Sequence, residues 1–107
     1  MNVDTGLITL KVKGHANQAK KGQDIVCASA TILSYTVAQI IQNINSRGGF
    51  KKPPKVKLSD GYAHISCYPK EDFKDETLHT YFVAQVGYQL LAHNYPKYVD
   101  LTAFGEV

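Results

Sequence analysis

Apolar and polar residues alternate from Leu7 to Lys13. Ile8, Leu10 and Val12 fall on one side; Thr9, Lys11 and Lys13 fall on the other. A period of two predicts a half-buried strand, which Gly14 ends. From His15 to Asp24 the chain is polar and loses its period, with Gly22 near the end. This stretch is expected to be an exposed loop. From about Ile25 to Ile44 the spacing changes. Ala30, Leu33, Val37, Ile40, Ile41 and Ile44 recur at steps of three and four, which predicts an amphipathic helix. Asp24 stands where an N-cap belongs. Asn45-Ser46-Arg47-Gly48-Gly49 stops the helix, and its glycines suit a left-handed C-cap.

Pro53 and Pro54 impose an extended connection. Val56 to Leu58, then Ser59-Asp60-Gly61, then Tyr62 to Tyr68 predict a hairpin with an Asp-Gly turn. On its second strand Ala63, Ile65 and Cys67 share one face; Tyr62, His64, Ser66 and Tyr68 share the other. A second helix is predicted from about Lys74 to Asn94, with Leu78, Phe82, Val86 and Leu90 inward. Glu71 and Asp72 lie near its start, where the helix dipole favours negative charge. Pro96 breaks it, and Tyr98 to Ala103 read as a last short strand. The order is strand, helix, hairpin, helix, strand. Two helices packed on one face of a mostly antiparallel sheet would bury both apolar stripes. The expected fold is therefore a small α+β two-layer sandwich.

With 107 residues the chain has room for one domain, spanning 1–107. Its hydrophobic share of 44% and charged share of 20% fit an ordinary globular protein and argue against disorder. No apolar run reaches the ~18 residues of a membrane span. Met1 to Gly6 has neither a basic start nor an apolar stretch. A cytoplasmic protein with no membrane partner is expected. The net charge of +3 excludes a strongly basic nucleic-acid coat. Lys51, Lys52, Lys55 and Lys57 lie close in sequence, and Tyr62 and Tyr68 are aromatic platforms. Arg47 is the one arginine, Trp is absent and no reading motif occurs. That balance argues against direct nucleic-acid recognition and for a solvated lysine face.

The candidate chemistry lies between the first strand and the first helix. A histidine, His15, follows the strand end, and a cysteine, Cys27, opens the predicted helix with Ala28, Ser29 and Ala30 behind it. A thiol in a first helical turn sits beside unpaired N–H groups and the positive dipole end, which favour thiolate. An imidazole nearby would act as base or ion-pair partner. The same N–H groups could hold a developing oxyanion. The plainer alternative is that Cys27 is a small core residue and His15 a surface group. Zinc is the competing chemistry, through His15, Cys27, His64 and Cys67. But His64 and Cys67 are three apart on a strand and point to opposite faces, so no metal and no cofactor are expected.

Gly14-His15-Ala16, a short polar loop, then Gly22-x-Asp24-Ile25-Val26-Cys27-Ala28 resembles the ribosomal-processing cysteine protease family, Prp. The order of elements is similar over nearly the whole chain. The resemblance implies a small cytoplasmic homodimer that removes the N-terminal extension of a large-subunit ribosomal protein. Phage capsid and scaffold proteins with a similar N-terminus are the other implied substrates. It implies Cys27 as nucleophile and His15 as base, with Gly14, Gly22 and Asp24 shaping the site and the intervening loop moving to admit substrate. Thr31 stands where the family often has serine, one turn after the cysteine, so the hydroxyl survives. A non-catalytic peptide- or ribosome-binding protein of the same fold is the alternative.

Overall fold

The computed structural model of the chain describes residues 6–13, 21–59 and 62–95. Strand β1 spans Ile8–Lys13, helix α1 Lys21–Ser46, strand β2 Lys55–Ser59 and strand β3 Tyr62–Cys67. A 3₁₀ turn, Glu71–Phe73, leads into helix α2, Lys74–Asn94. The sheet order is β1-β3-β2, antiparallel throughout. Ser59 pairs with Tyr62, which closes the expected hairpin around positions 60 and 61. Those two residues, and the expected strand Tyr98–Ala103, lie outside the described residues.

The alternation in the strands decides what is buried. Ile8 and Leu10 of β1 and Ala63, Ile65 and Cys67 of β3 are all buried on one face. Val37, Ala38, Ile41 and Ile44 of α1 form the opposing layer of the same core. Full burial of a side chain the size of Ile41, Ile44 or Ile65 is worth roughly 1.5–3 kcal/mol. The two-layer α+β arrangement expected from the pattern is the one observed.

Three expectations are corrected. First, α1 begins at Lys21, not near Ile25, so the last four residues of the expected loop are helical. Lysine and glutamine are good helix formers, and the single Gly22 costs only about 1 kcal/mol. Extending an existing helix avoids the cost of nucleation. Second, the inward face of α2 is Thr77, Tyr81, Ala84 and Tyr88. Leu78 packs at its margin. Phe82, Val86 and Leu90 are exposed. The reason is angular. Steps of strictly four, as in 78-82-86-90, slide around the helix by about 120° in three steps, whereas 77-81-84-88 stays within about 60°. Third, Ile25–Ser46 has the length and mean hydropathy, 1.5, of a possible membrane span. In the structure one stripe of α1, Val37, Ala38, Ile41 and Ile44, lies in the core, and 28% of the apolar window is buried.

The end of α1 is held as its glycines suggest. Gly48 has φ 75°, in the left-handed region. Gly49 N–H donates to the Ile44 carbonyl at 3.0 Å, and Gly48 N–H to Asn45 at 2.9 Å, the paired bonds of a Schellman cap. Arg47 then forks onto Glu76 in the first turn of α2 and covers the Phe73 ring at 5.3 Å. A Cβ on Gly49 would collide with Ile44 and would lie 2.8 Å from the Phe73 ring. Gly48→Ala should therefore lose about 1–2 kcal/mol through the left-handed backbone alone. Gly49→Ala should lose more, because both obstructing side chains are packed. Urea melts check this, with the midpoint falling further for Gly49→Ala.

Candidate active site

The inner stripe of α1 begins at Val26, which is buried, and continues through the part-buried Ala30 and Leu33 to Val37. Cys27 follows Val26 and is turned about 100° from it. It is half-buried, with Ala28 and Thr31 exposed beside it. Cys27 and Thr31 are four apart and share a side of the helix. The structure thus brings the expected nucleophile and the expected neighbouring hydroxyl together on one solvent-reached side.

It also moves them relative to the helix end. Because α1 starts at Lys21, Cys27 lies in the second turn. The N–H groups left without an intrahelical partner belong to the first turn, positions 21–24, and the dipole's effect fades beyond that turn. The expectation that Cys27 itself opens the helix is not met. Nor is Asp24 the N-cap, since it lies within the first turn, as does Gly22. Gly14 and His15 lie outside the described residues.

What holds this part of α1 is a contact that pattern reading missed. The Tyr88 hydroxyl, from α2, donates to the Ala30 carbonyl at 3.1 Å and meets Ser34 Oγ. Ser34 Oγ also donates to Ala30 at 3.0 Å. Ala30 lies three residues after Cys27, so the clasp sits one turn along from the thiol. Burial raises the Tyr88 phenol above its ordinary range, with Ser34 opposing. Gly87 lets the helices close at this level. A Cβ there would lie 2.8 Å from a Leu33 methyl. The available signal was the run Thr77, Tyr81, Ala84, Tyr88, whose tyrosines carry a polar tip that a core-facing position can use.

Cys67 differs in kind from Cys27. It is 2% exposed, inside the core on β3. The Tyr81 hydroxyl donates to the Ile65 carbonyl at 3.0 Å and lies 3.6 Å from the Cys67 sulfur. Burial pushes the Cys67 thiol up to about 11, against a smaller opposing pull from Tyr81. His64 points from the other face of β3, as its spacing from Cys67 predicts. Among the described residues no three His, Cys, Asp or Glu side chains gather as metal ligands.

A half-buried thiol on the first helix of a small α+β sandwich is a geometry open to nucleophilic chemistry. The sequence specifies the class further. The family model for cysteine protease Prp matches residues 1–100, and the chain belongs to that family. Two solved structures share its fold. One is the essential ribosomal processing protease Prp from S. aureus, in complex with a substrate peptide. It is 20% identical with a TM-score of 0.62, over 89% of this chain and 85% of that one. The other is SMU.848 from Streptococcus mutans, 23% identical with a TM-score of 0.61, over 87% and 79%. No curated protein matches the chain.

The two thiols should separate in reactivity. At neutral pH iodoacetamide should label native Cys27, whereas Cys67 should label only at the rate of global unfolding. Raising the pH from 7 to 9 should not release Cys67, since its proton stays bound until about pH 11. Peptide mapping after timed alkylation reads both rates. Labelling of Cys67 first would overturn the assignment of the reactive thiol.

Proposed function

We propose that the chain is a cytoplasmic cysteine endopeptidase that removes the N-terminal extension of another protein. By its family the substrate is a large-subunit ribosomal protein, or a phage capsid or scaffold protein with a similar N-terminus. The observation that carries this reading is the family match over residues 1–100 together with a solvent-reached Cys27 beside Thr31.

In this mechanism His15 takes the Cys27 proton, and the thiolate attacks the scissile carbonyl. The imidazolium then protonates the leaving amine, and water hydrolyses the acyl-enzyme with His15 again as base. With Cys27 in the second turn, the dipole contributes less to thiolate formation, so more of the activation falls to His15. The N–H groups of the first turn, next to Gly22 and Asp24, are the donors available to an oxyanion. Thr31 lines the same side. No cofactor takes part.

Peptides copying candidate N-terminal extensions should be cut once, as read by mass spectrometry. Cys27→Ser should abolish cutting while keeping the fold and peptide affinity. His15→Ala should slow both cutting and Cys27 alkylation by about 100-fold or more. Binding without any cut by the parent protein would favour a non-catalytic binding protein.

The family resemblance also implies a homodimer, and the outer side of the helix layer supports one. Ile32 and Tyr35 of α1 and Phe82, Val83, Val86 and Leu90 of α2 are exposed. Apolar residues clustered in this way mark an association surface. Phe82→Asp should convert a dimer to a monomer in sedimentation velocity, with its circular dichroism unchanged.

A further inference from the structure

Among the described residues the sheet is covered by helices on one face only, and its other face gathers lysines that are far apart in sequence. The register places Lys11 of β1 and Lys57 of β2 on either side of His64. Strands pair at about 4.8 Å, so these two lysines stand about 10 Å apart across one row. Lys55 stands in the next row of that face, opposite Ser66, about 7 Å along β2 from Lys57. Lys11, Lys55 and Lys57 are all exposed. The connection adds Lys52. Lys51 N–H donates to the Tyr68 carbonyl at 2.8 Å, which brings the Lys52 ammonium over the Tyr68 ring at 4.5 Å. The Lys57 ammonium lies 6.0 Å from the centre of the Tyr62 ring.

The carboxylates among the described side chains are elsewhere. Glu71, Asp72, Asp75 and Glu76 all lie in the 3₁₀ turn and the first turn of α2. Among the described residues the charges are therefore segregated. Among the described residues the outer sheet face is positive without a neutralising partner.

We infer that this face binds single-stranded RNA. The lysines are point charges for phosphates, and Tyr62 and Tyr68 offer ring faces to bases, as in sheet platforms that hold unpaired nucleotides. Among the described residues this three-stranded face carries no helix that could enter a duplex groove. An acidic peptide would use the charges but not the rings. The binding goes beyond peptide cleavage. Only the choice of RNA over DNA rests on the ribosomal reading above, where RNA is the polyanion beside the substrate. Binding there would hold the enzyme near an assembling particle while the helix layer works on the peptide.

Fluorescence anisotropy of a labelled 12-nucleotide oligouridine on Cys27→Ser tests this without any cleavage, so failure of the protease reading does not affect it. Binding is expected in the micromolar range at low salt. It should weaken as salt rises, with a logarithmic slope of about −0.7 per lysine engaged. The triple variant Lys11→Gln/Lys55→Gln/Lys57→Gln should weaken binding more than tenfold and lower that slope by about 2. Tyr68→Leu should weaken it at least fivefold with the slope unchanged, since stacking carries no counterions. Lys70→Gln/Lys74→Gln, beside the carboxylates, should change nothing. The inference is overturned by absence of binding at low salt or by a triple variant within twofold of the parent. Competition by polyglutamate equal to that by RNA, or tenfold tighter binding of oligothymidine, also overturns it.

Discussion

The structure depends on covering a three-stranded sheet from one side. Each strand offers one apolar face, and α1 supplies most of the cover through Val37, Ala38, Ile41 and Ile44. A helix of 26 residues is about 39 Å long, whereas a strand of six, like β3, spans about 20 Å. One end of α1 must therefore outrun the sheet. The C-terminal end is tied down by the Gly48–Gly49 cap and by Phe73. The end with less sheet beneath it is the one that carries Cys27. Cys27 there is half-buried, whereas Val37, Ala38, Ile41 and Ile44 further along the helix are core.

That overhang explains the unusual inner face of α2. A purely apolar stripe would pack on α1 but could not grip its backbone. Tyr88 does both, since its ring is buried while its hydroxyl holds the Ala30 carbonyl and meets Ser34. Tyr81 does the same toward the sheet, reaching the Ile65 carbonyl. Among the described residues no buried side-chain polar atom lacks a partner. The two tyrosines fix α2 to the strand below and the helix beside it, and so set where the turn that carries Cys27 stands.

One-sided cover also leaves two outer surfaces of opposite chemistry. The outer side of the helices exposes Ile32, Tyr35, Phe82, Val83, Val86 and Leu90. The outer side of the sheet exposes lysines among tyrosines. A face of the first kind suits a second copy of the chain, and a face of the second kind suits a polyanion. Because the layers lie back to back, both can be occupied at once.

Strand and helix periods, the Gly48–Gly49 stop and the Cys27 motif were legible in the sequence because each depends on neighbours a few residues away. The split of Cys67 from His64 was legible for the same reason, as a strand alternates sides at every residue. The inward face of α2 was not read correctly. Both candidate stripes are mostly apolar or aromatic, and only the angle to α1 and β3 chose the tyrosines. The start of α1 was also not legible, since a polar segment with one glycine is permitted as loop or helix. The joining of Lys11 to the lysines of β2 was hidden as well. Lys11 and Lys57 are 46 positions apart, and only the β1-β3-β2 register sets them in one row beside His64. Local periodicity determines what each segment is, whereas which faces meet follows from packing between segments, and in this protein that packing positions Cys27 and gathers the lysines.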